Sequence, residues 1–153
     1  MKIEDVIKSE APLPIGKRTM LNIMYTQNII GENFNEILKP FDISPEQFNV
    51  LRILRGQKGK PANMFVIQER MIAPTSNTTR LVDKLLNKGL VTRKVCSENR
   101  RKMDITITEK GLELLKALDP KVEEHEKGYS KNLSHEELEK LNQLLEKFRG
   151  ELI

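Results

Sequence analysis

One run of residues limits the folds open to this chain more than any other. After Pro74, the short polar side chains Thr75, Ser76, Asn77, Thr78 and Thr79 lead into Arg80-Leu81-Val82-Asp83-Lys84-Leu85-Leu86, and Gly89-Leu90 follows. Ser, Thr and Asn open helices, and a glycine followed by an apolar residue closes them. A helix beginning at Thr75 or a residue earlier is therefore predicted, with Leu81, Val82, Leu85 and Leu86 turned inward. Two strand-like stretches come next, Leu90 to Cys96 and Met103 to Thr108; in the second, Ile105 and Ile107 alternate with Asp104, Thr106 and Thr108. Their connection, Ser97 to Lys102, carries Asn99-Arg100-Arg101-Lys102. A polar-fronted helix followed by a cation-tipped ribbon is the order of parts in a winged helix-turn-helix, where the helix lies in one DNA groove and the charged loop reaches another.

The flanking segments supply the rest of such a fold. Ser44-Pro45-Glu46-Gln47 is a strong helix start: a serine cap, proline at the first helical position, and a glutamine three residues past the cap. Phe48, Leu51 and Leu54 carry its buried face to about Gly56. Gln57 to Pro61 reads as a polar turn, and Asn63 to Met71 as a short helix. A long helix is expected from Lys17 to Lys39, ended by Pro40, with apolar residues on too many sides for one packing partner. Residues 3–9 suit a brief helix ahead of it. Thr108-Glu109-Lys110-Gly111 starts another helix, with Leu112, Leu115, Leu118, Val122 and His125 down one side. Ser134, with Glu137 three residues on, caps the last, whose Leu138, Leu141, Leu144, Leu145 and Phe148 run to the end. The expected fold class is mainly α with a small β-wing. A winged helix-turn-helix lobe spans 44–111, and dimerisation helices span 17–39 and 112–153, all within a single domain of residues 1–153. Surplus apolar surface at both chain ends points to a homodimer.

Charge agrees with this placement. The net charge of +4 is modest, but residues 44–111 hold 14 Lys/Arg against 6 Asp/Glu, while residues 112–153 hold 7 against 10. Basic charge concentrated in the lobe attracts phosphate, which supplies most of the sequence-independent affinity for DNA. Asn bridges adenine and Arg bridges guanine in the major groove, each worth about 1–3 kcal/mol of discrimination. The candidate DNA-binding residues are Thr75, Ser76, Asn77, Thr79, Arg80 and Lys84 on the helix, with Arg100, Arg101 and Lys102 on the ribbon tip. Arg52, Arg55, Lys58 and Lys60 are weaker candidates for phosphate contact. A competing reading is a winged helix that uses its wing on a protein partner; it predicts only weak, salt-sensitive sticking to duplexes.

Other chemistries find little support. His125 and His135 stand ten residues apart with no Cys or His at ligand spacing, so no metal site is expected. Glu123, Glu124 and Glu126 form a charge run on a solvated face. Gly56 and Gly59 lack the Lys-Ser/Thr follow-on of a phosphate loop. The chain is not expected to be an enzyme or to carry a cofactor. Cys96 is expected as a small buried strand residue, with oxidant sensing a minor alternative. A single cysteine, no greasy N-terminal stretch and no long apolar run point to the cytoplasm, with no membrane contact.

Residues 79–111 closely resemble the MarR family of bacterial transcription regulators. The matching pieces are Arg80-Leu81-Val82-Asp83-Lys84-Leu85, Lys88-Gly89-Leu90-Val91-Thr92-Arg93, Asn99-Arg100-Arg101 and Ile105 through Gly111. The resemblance implies a homodimeric repressor or activator on palindromic double-stranded operators, frequently released by a small phenolic or lipophilic effector. It places Ser76, Asn77, Thr79 and Arg80 toward the major groove and Arg101 in the minor groove. An effector pocket, where the resemblance implies one, would lie between the first long helix, the second and the one after the ribbon, lined by residues such as Met24, Tyr25 or Phe48; apolar positions at this spacing suit ordinary core better, and the ligand-binding residues are unknown from sequence. Three positions depart from the family pattern. Asn99 stands where aspartate is usual, so an ion pair steadying the tip is absent or replaced; Thr78 replaces a common valine, and Leu86 a common glutamate.

Overall fold

The computed structural model describes residues 1–150; the last three residues of the expected C-terminal helical segment lie outside them. A one-turn helix α1 (Ile3–Val6) precedes the long α2 (Ile15–Leu38), which passes into a single 3-10 turn at Lys39–Phe41. Pro40 stops α2 as predicted, and Asp42, in the left-handed region at φ 53°, turns the chain into α3 (Pro45–Gly56). The Ser44 hydroxyl accepts the Gln47 N–H at 3.1 Å while Gln47 Oε1 accepts the Ser44 N–H at 3.0 Å, the predicted reciprocal cap. Asn63 caps α4 (Met64–Arg70) by accepting the Val66 N–H at 3.0 Å.

Helix α5 (Thr78–Asn87) ends on the expected glycine. Gly89 sits at φ 69°; its N–H donates to the Leu86 carbonyl at 2.9 Å, and the Leu90 N–H to the Leu85 carbonyl at 3.0 Å. This paired closure reverses the chain directly into β1 (Val91–Val95), which runs antiparallel to β2 (Met103–Ile107) with Val91 opposite Ile107 and Arg93 opposite Ile105. Ala62 adds a one-residue third strand: its N–H donates to the Ile105 carbonyl at 2.9 Å and its carbonyl accepts from Ile105 at 2.8 Å. No periodicity announces a strand of one residue, so the sequence shows only the polar turn before it. Thr108 then caps α6 (Glu109–Ser130), accepting the Gly111 N–H at 3.1 Å and donating its own hydroxyl to the Gly89 carbonyl at 2.7 Å. Pro120 withdraws one N–H from the α6 ladder without ending the helix. Ser134 and Glu137 form the second predicted reciprocal cap, at the start of α7 (His135–Arg149).

The core gathers around α3. Val50, Leu51, Ile53 and Leu54 are buried there against Ile67, Val82, Leu85, Ile105, Leu115 and Leu118. The predicted inward face of Phe48, Leu51 and Leu54 was therefore too narrow, because α4, α5, β2 and α6 enclose α3 on most sides. Of the α5 residues expected inside, Val82 and Leu85 are fully buried, and Leu81 and Leu86 half-buried. The outer helices differ. Leu38 is the one buried residue of α2, and Met20, Met24, Tyr25 and Ile30 are exposed. Helix α7 has no buried residue, leaves Leu141, Leu144 and Phe148 open, and makes no extended contact with another described element.

Candidate nucleic-acid interface

The helix carrying the candidate major-groove residues begins later than the sequence predicts. Thr75, Ser76 and Asn77 were expected within or at the cap of the helix, but α5 starts at Thr78, and Asn77 occupies the cap position with no side-chain capping bond. Local competition accounts for the difference. Thr75 Oγ1 accepts the Asn77 N–H at 3.1 Å, and the Thr78 hydroxyl donates to the Thr75 carbonyl at 2.9 Å. These bonds hold Thr75 to Thr78 as a turn, the alternative to helix that hydroxyl side chains offer the backbone. Thr78 is buried, its hydroxyl 4.0 Å from Met71 Sδ.

The turn and helix still present one polar face. Ser76, Asn77, Thr79, Arg80 and Lys84 are exposed, while Thr78, Val82 and Leu85 face the core. Thr75, Asn77, Arg80 and Lys84 line a shared surface depression of about 420 Å³, to which Glu46 of α3 adds one carboxylate. The backbone N–H groups of the first helical turn have no intrahelical acceptor, so this end of α5 favours negative charge.

The ribbon tip is held by its own backbone. Cys96 N–H donates to the Lys102 carbonyl at 2.9 Å, and Lys102 N–H to the Asn99 carbonyl at 2.9 Å. Asn99 Oδ1 accepts the Arg101 N–H at 3.0 Å. The missing aspartate is thus replaced by a side-chain-to-backbone turn, which asparagine forms without charge. Arg100, Arg101 and Lys102 are exposed around it. Cys96 departs from expectation: it lies just beyond β1 and is half-buried rather than enclosed in a strand.

Two arginines are already committed elsewhere. Arg55, a weak candidate for phosphate contact, places Nη1 at 2.9 Å from both carboxylate oxygens of Asp119 on α6. Arg93 on β1 places Nη1 at 2.8 Å from Asp83 Oδ1 on α5. Arg52 donates to Asn49 Oδ1 at 2.8 Å; Lys58 and Lys60 are exposed. The Asp83–Arg93 pair escaped the sequence reading, although a signal existed: each residue lies five positions from Lys88, where the helix turns into the strand.

A second concavity lies between α2, α3 and α6. An apolar cleft of about 480 Å³ is walled by Phe34 of α2, Phe48 of α3, the Met71-to-Ala73 segment, and Val122 and His125 of α6. Of the residues expected to line such a pocket, Phe48 does, whereas Met24 and Tyr25 are exposed on α2 and do not. Of α2, the C-terminal end carrying Phe34, Ile37 and Leu38 is the part that meets the core. His125 Nε2 is buried there without a hydrogen-bond partner, its ring between those of Phe34 (5.5 Å) and Tyr129 (5.2 Å).

Comparison with known proteins bears on all of this. The model of the MarR family matches residues 43–103. The HTH-type transcriptional regulator MhqR of Bacillus subtilis is 29% identical over 118 residues, covering 77% of this chain and 80% of that protein. A MarR transcription factor from Planctomyces limnophilus superposes with a TM-score of 0.69 at 30% identity, over 88% of this chain and 98% of that one. A point mutant of MarR from E. coli, solved with operator DNA, superposes with a TM-score of 0.76 at 25% identity, over 89% of this chain and 94% of its own.

Proposed function

The chain belongs to the MarR family, and from that premise we propose that it is a transcriptional regulator, acting as a homodimeric repressor on a palindromic operator. Helix α5 enters the major groove with Thr79, Arg80 and Lys84 forward, and the turn ahead of it, shaped by Thr75, brings Ser76 and Asn77 to the same face. The wing puts Arg101 into the adjacent minor groove, where focused negative potential attracts arginine, with Arg100 and Lys102 on the flanking phosphates. The observation that carries this reading is the division of α5 into a buried apolar face and an exposed face of amide, hydroxyl and cationic groups, immediately followed by a cationic tip. The similarity to MarR bound to its operator supports it.

The exposed apolar residues of α2 and α7 support the dimer, since a monomer would leave Met20, Met24, Leu141, Leu144 and Phe148 in water. Two copies then set their α5 helices about 34–36 Å apart, on half-sites one helical turn apart. Repression follows wherever such a site overlaps a promoter. The cleft around His125 is the candidate effector site: it is mainly apolar, contains one unsatisfied buried nitrogen, and includes the Met71-to-Ala73 segment that leads into the α5 turn. A ligand there pushes on the start of the reading helix.

Selection of bound duplexes from random DNA, followed by footprinting, tests the reading. Inverted half-sites centred about ten base pairs apart are the expected product. Arg80→Ala should then cost about 1–3 kcal/mol and relax preference at one base position, while Arg101→Ala should weaken binding and flatten its salt dependence. Operator affinity and salt slope unchanged in both variants would remove the assignment of this surface.

A further inference from the structure

The ion pair between Asp83 and Arg93 bears on how selectively this interface binds. Asp83 lies three residues after Arg80 on α5, on the neighbouring part of the helix surface. Arg93 lies in the middle of β1 directly opposite the buried Ile105, so its side chain leaves the ribbon on the side that faces the core and α5. Nη1 and Oδ1 meet at 2.8 Å, with the side chains 36% and 49% exposed. The pair therefore fills the crook between reading helix and wing. A duplex that takes α5 in its major groove and the wing in the adjacent minor groove runs the intervening sugar–phosphate strand past that crook.

A free arginine at such a place binds phosphate whatever the sequence, and phosphate contacts carry affinity without sequence information. A pair this exposed adds little to fold stability, so stability gives it no clear purpose. We propose that Asp83 is a specificity-determining residue: by holding Arg93 it withholds one cation from the phosphate backbone and so suppresses binding to non-operator DNA. On an operator, base contacts fix the register, and Arg93 meets phosphate only where that register allows. On any other duplex no register is imposed, and a released Arg93 takes the nearest phosphate. Removing the carboxylate therefore strengthens non-operator binding more than operator binding.

The inference rests on the DNA-reading role proposed above, and the test separates the two. Affinity for a selected operator and for a scrambled duplex is measured across a salt series for the wild type, Asp83→Asn, Arg93→Gln and the double variant, each checked by thermal melting without DNA. Asp83→Asn should raise scrambled-duplex affinity about fivefold at 0.15 M salt and steepen its salt slope by about 0.9, the effect of one added phosphate contact. Arg93→Gln alone leaves the Asp83 carboxylate unpaired and should not raise scrambled-duplex affinity, and the double variant should lose the gain and return to about wild-type values. The inference is overturned if the double variant keeps the gain of Asp83→Asn, because the lost carboxylate and not the freed Arg93 then accounts for it, or if a folded Asp83→Asn matches the wild type. Should Asp83→Asn fail to fold, Asp83→Ser takes its place in the same cycle. A wild type with no preference for any duplex removes the DNA reading and this inference together; a selective wild type with either overturning result removes this inference only.

Discussion

Leu85 and Leu144 occupy the apolar stripes of two helices in one chain, and their surroundings could hardly differ more. Leu85 on α5 is fully buried among α3, α4 and the ribbon, while Leu144 on α7 is 51% exposed. The same contrast separates the whole winged lobe from the outer helices. In the lobe most apolar side chains meet others of the same chain, with Leu38 of α2 and Leu115 and Leu118 of α6 closing the core. Along α7 and the part of α2 that carries Met20, Met24 and Tyr25, apolar side chains meet water, which at about 25 cal/mol per Å² is a standing incentive to associate. The core around α3 closes within one copy, and the exposed arm faces of α2 and α7 are covered by a second under the proposed dimer.

The sharpest way to break this contrast is to truncate one leucine on each side. Leu85→Ala should destabilise the chain by about 2–5 kcal/mol, seen as a lower denaturant midpoint at any protein concentration. Leu144→Ala should leave a dilute monomer's unfolding unchanged and instead lower the temperature midpoint only where dimer is populated, with sedimentation reporting the weaker association. Equal, concentration-independent losses in both variants would erase the distinction between lobe and arms.

The joint between the two regions comes next in size. At Gly111, where α6 leaves the ribbon, an added Cβ would lie 2.4 Å from the Leu90 carbonyl oxygen and 2.7 Å from Ile107 Cγ1. Backbone on one side leaves little room to give, so Gly111→Ala should cost about 1–3 kcal/mol. If α6 tilts to relieve the contact, cleft and wing shift together, and operator affinity should fall beyond what the stability loss explains. A chemical-denaturation curve and an operator titration on the same variant separate the two effects.

How legible each feature was in the sequence follows from the distance over which its physics acts. The caps at Ser44, Thr108 and Ser134 were readable because a cap closes within four residues, and the Gly89 reversal because only the positive-φ end of a helix asks for glycine there. The α5 start was misread because Thr75 offered the backbone two structures and the sequence could not rank them. The Ala62 strand, the Arg55–Asp119 brace and the Asp83–Arg93 pair depend on residues from separate elements meeting, which periodicity does not encode. The cleft fell between these cases: Phe48 sits in the core and also lines the cleft, whereas Met24 and Tyr25, which apolar spacing suited to the core, are exposed because only the end of α2 near Phe34, Ile37 and Leu38 reaches it.

Among the locally encoded features, the α7 cap has a smaller measurable weight. Ser134→Ala removes the hydroxyl that accepts the Glu137 N–H at 3.2 Å and leaves that donor without its cap. The expected loss is about 1 kcal/mol, typical of a cap. Because α7 makes no extended contact with another described element, fraying of its first turn should appear as faster amide exchange at residues 135–138, with exchange in α3 unaltered. Faster amide exchange in α3 would mean that α7 supports the lobe after all, which narrows the contrast between regions.

The smallest effect probes a contact that joins lobe to arm directly. Arg55 on α3 grips both oxygens of Asp119 on α6, with side chains 37% and 50% exposed. Half-solvated pairs contribute about 0–1 kcal/mol and fade as salt rises. Arg55→Gln should therefore lower stability by less than about 1 kcal/mol at low salt, with the difference closing near 1 M salt. The more informative readout is DNA. A guanidinium held by Asp119 gives nothing to phosphate, so operator affinity and its salt slope should stay at wild-type values. A slope flattened by about 0.9 would show that Arg55 leaves Asp119 for the duplex and that the DNA-facing surface extends from the lobe onto the base of α6.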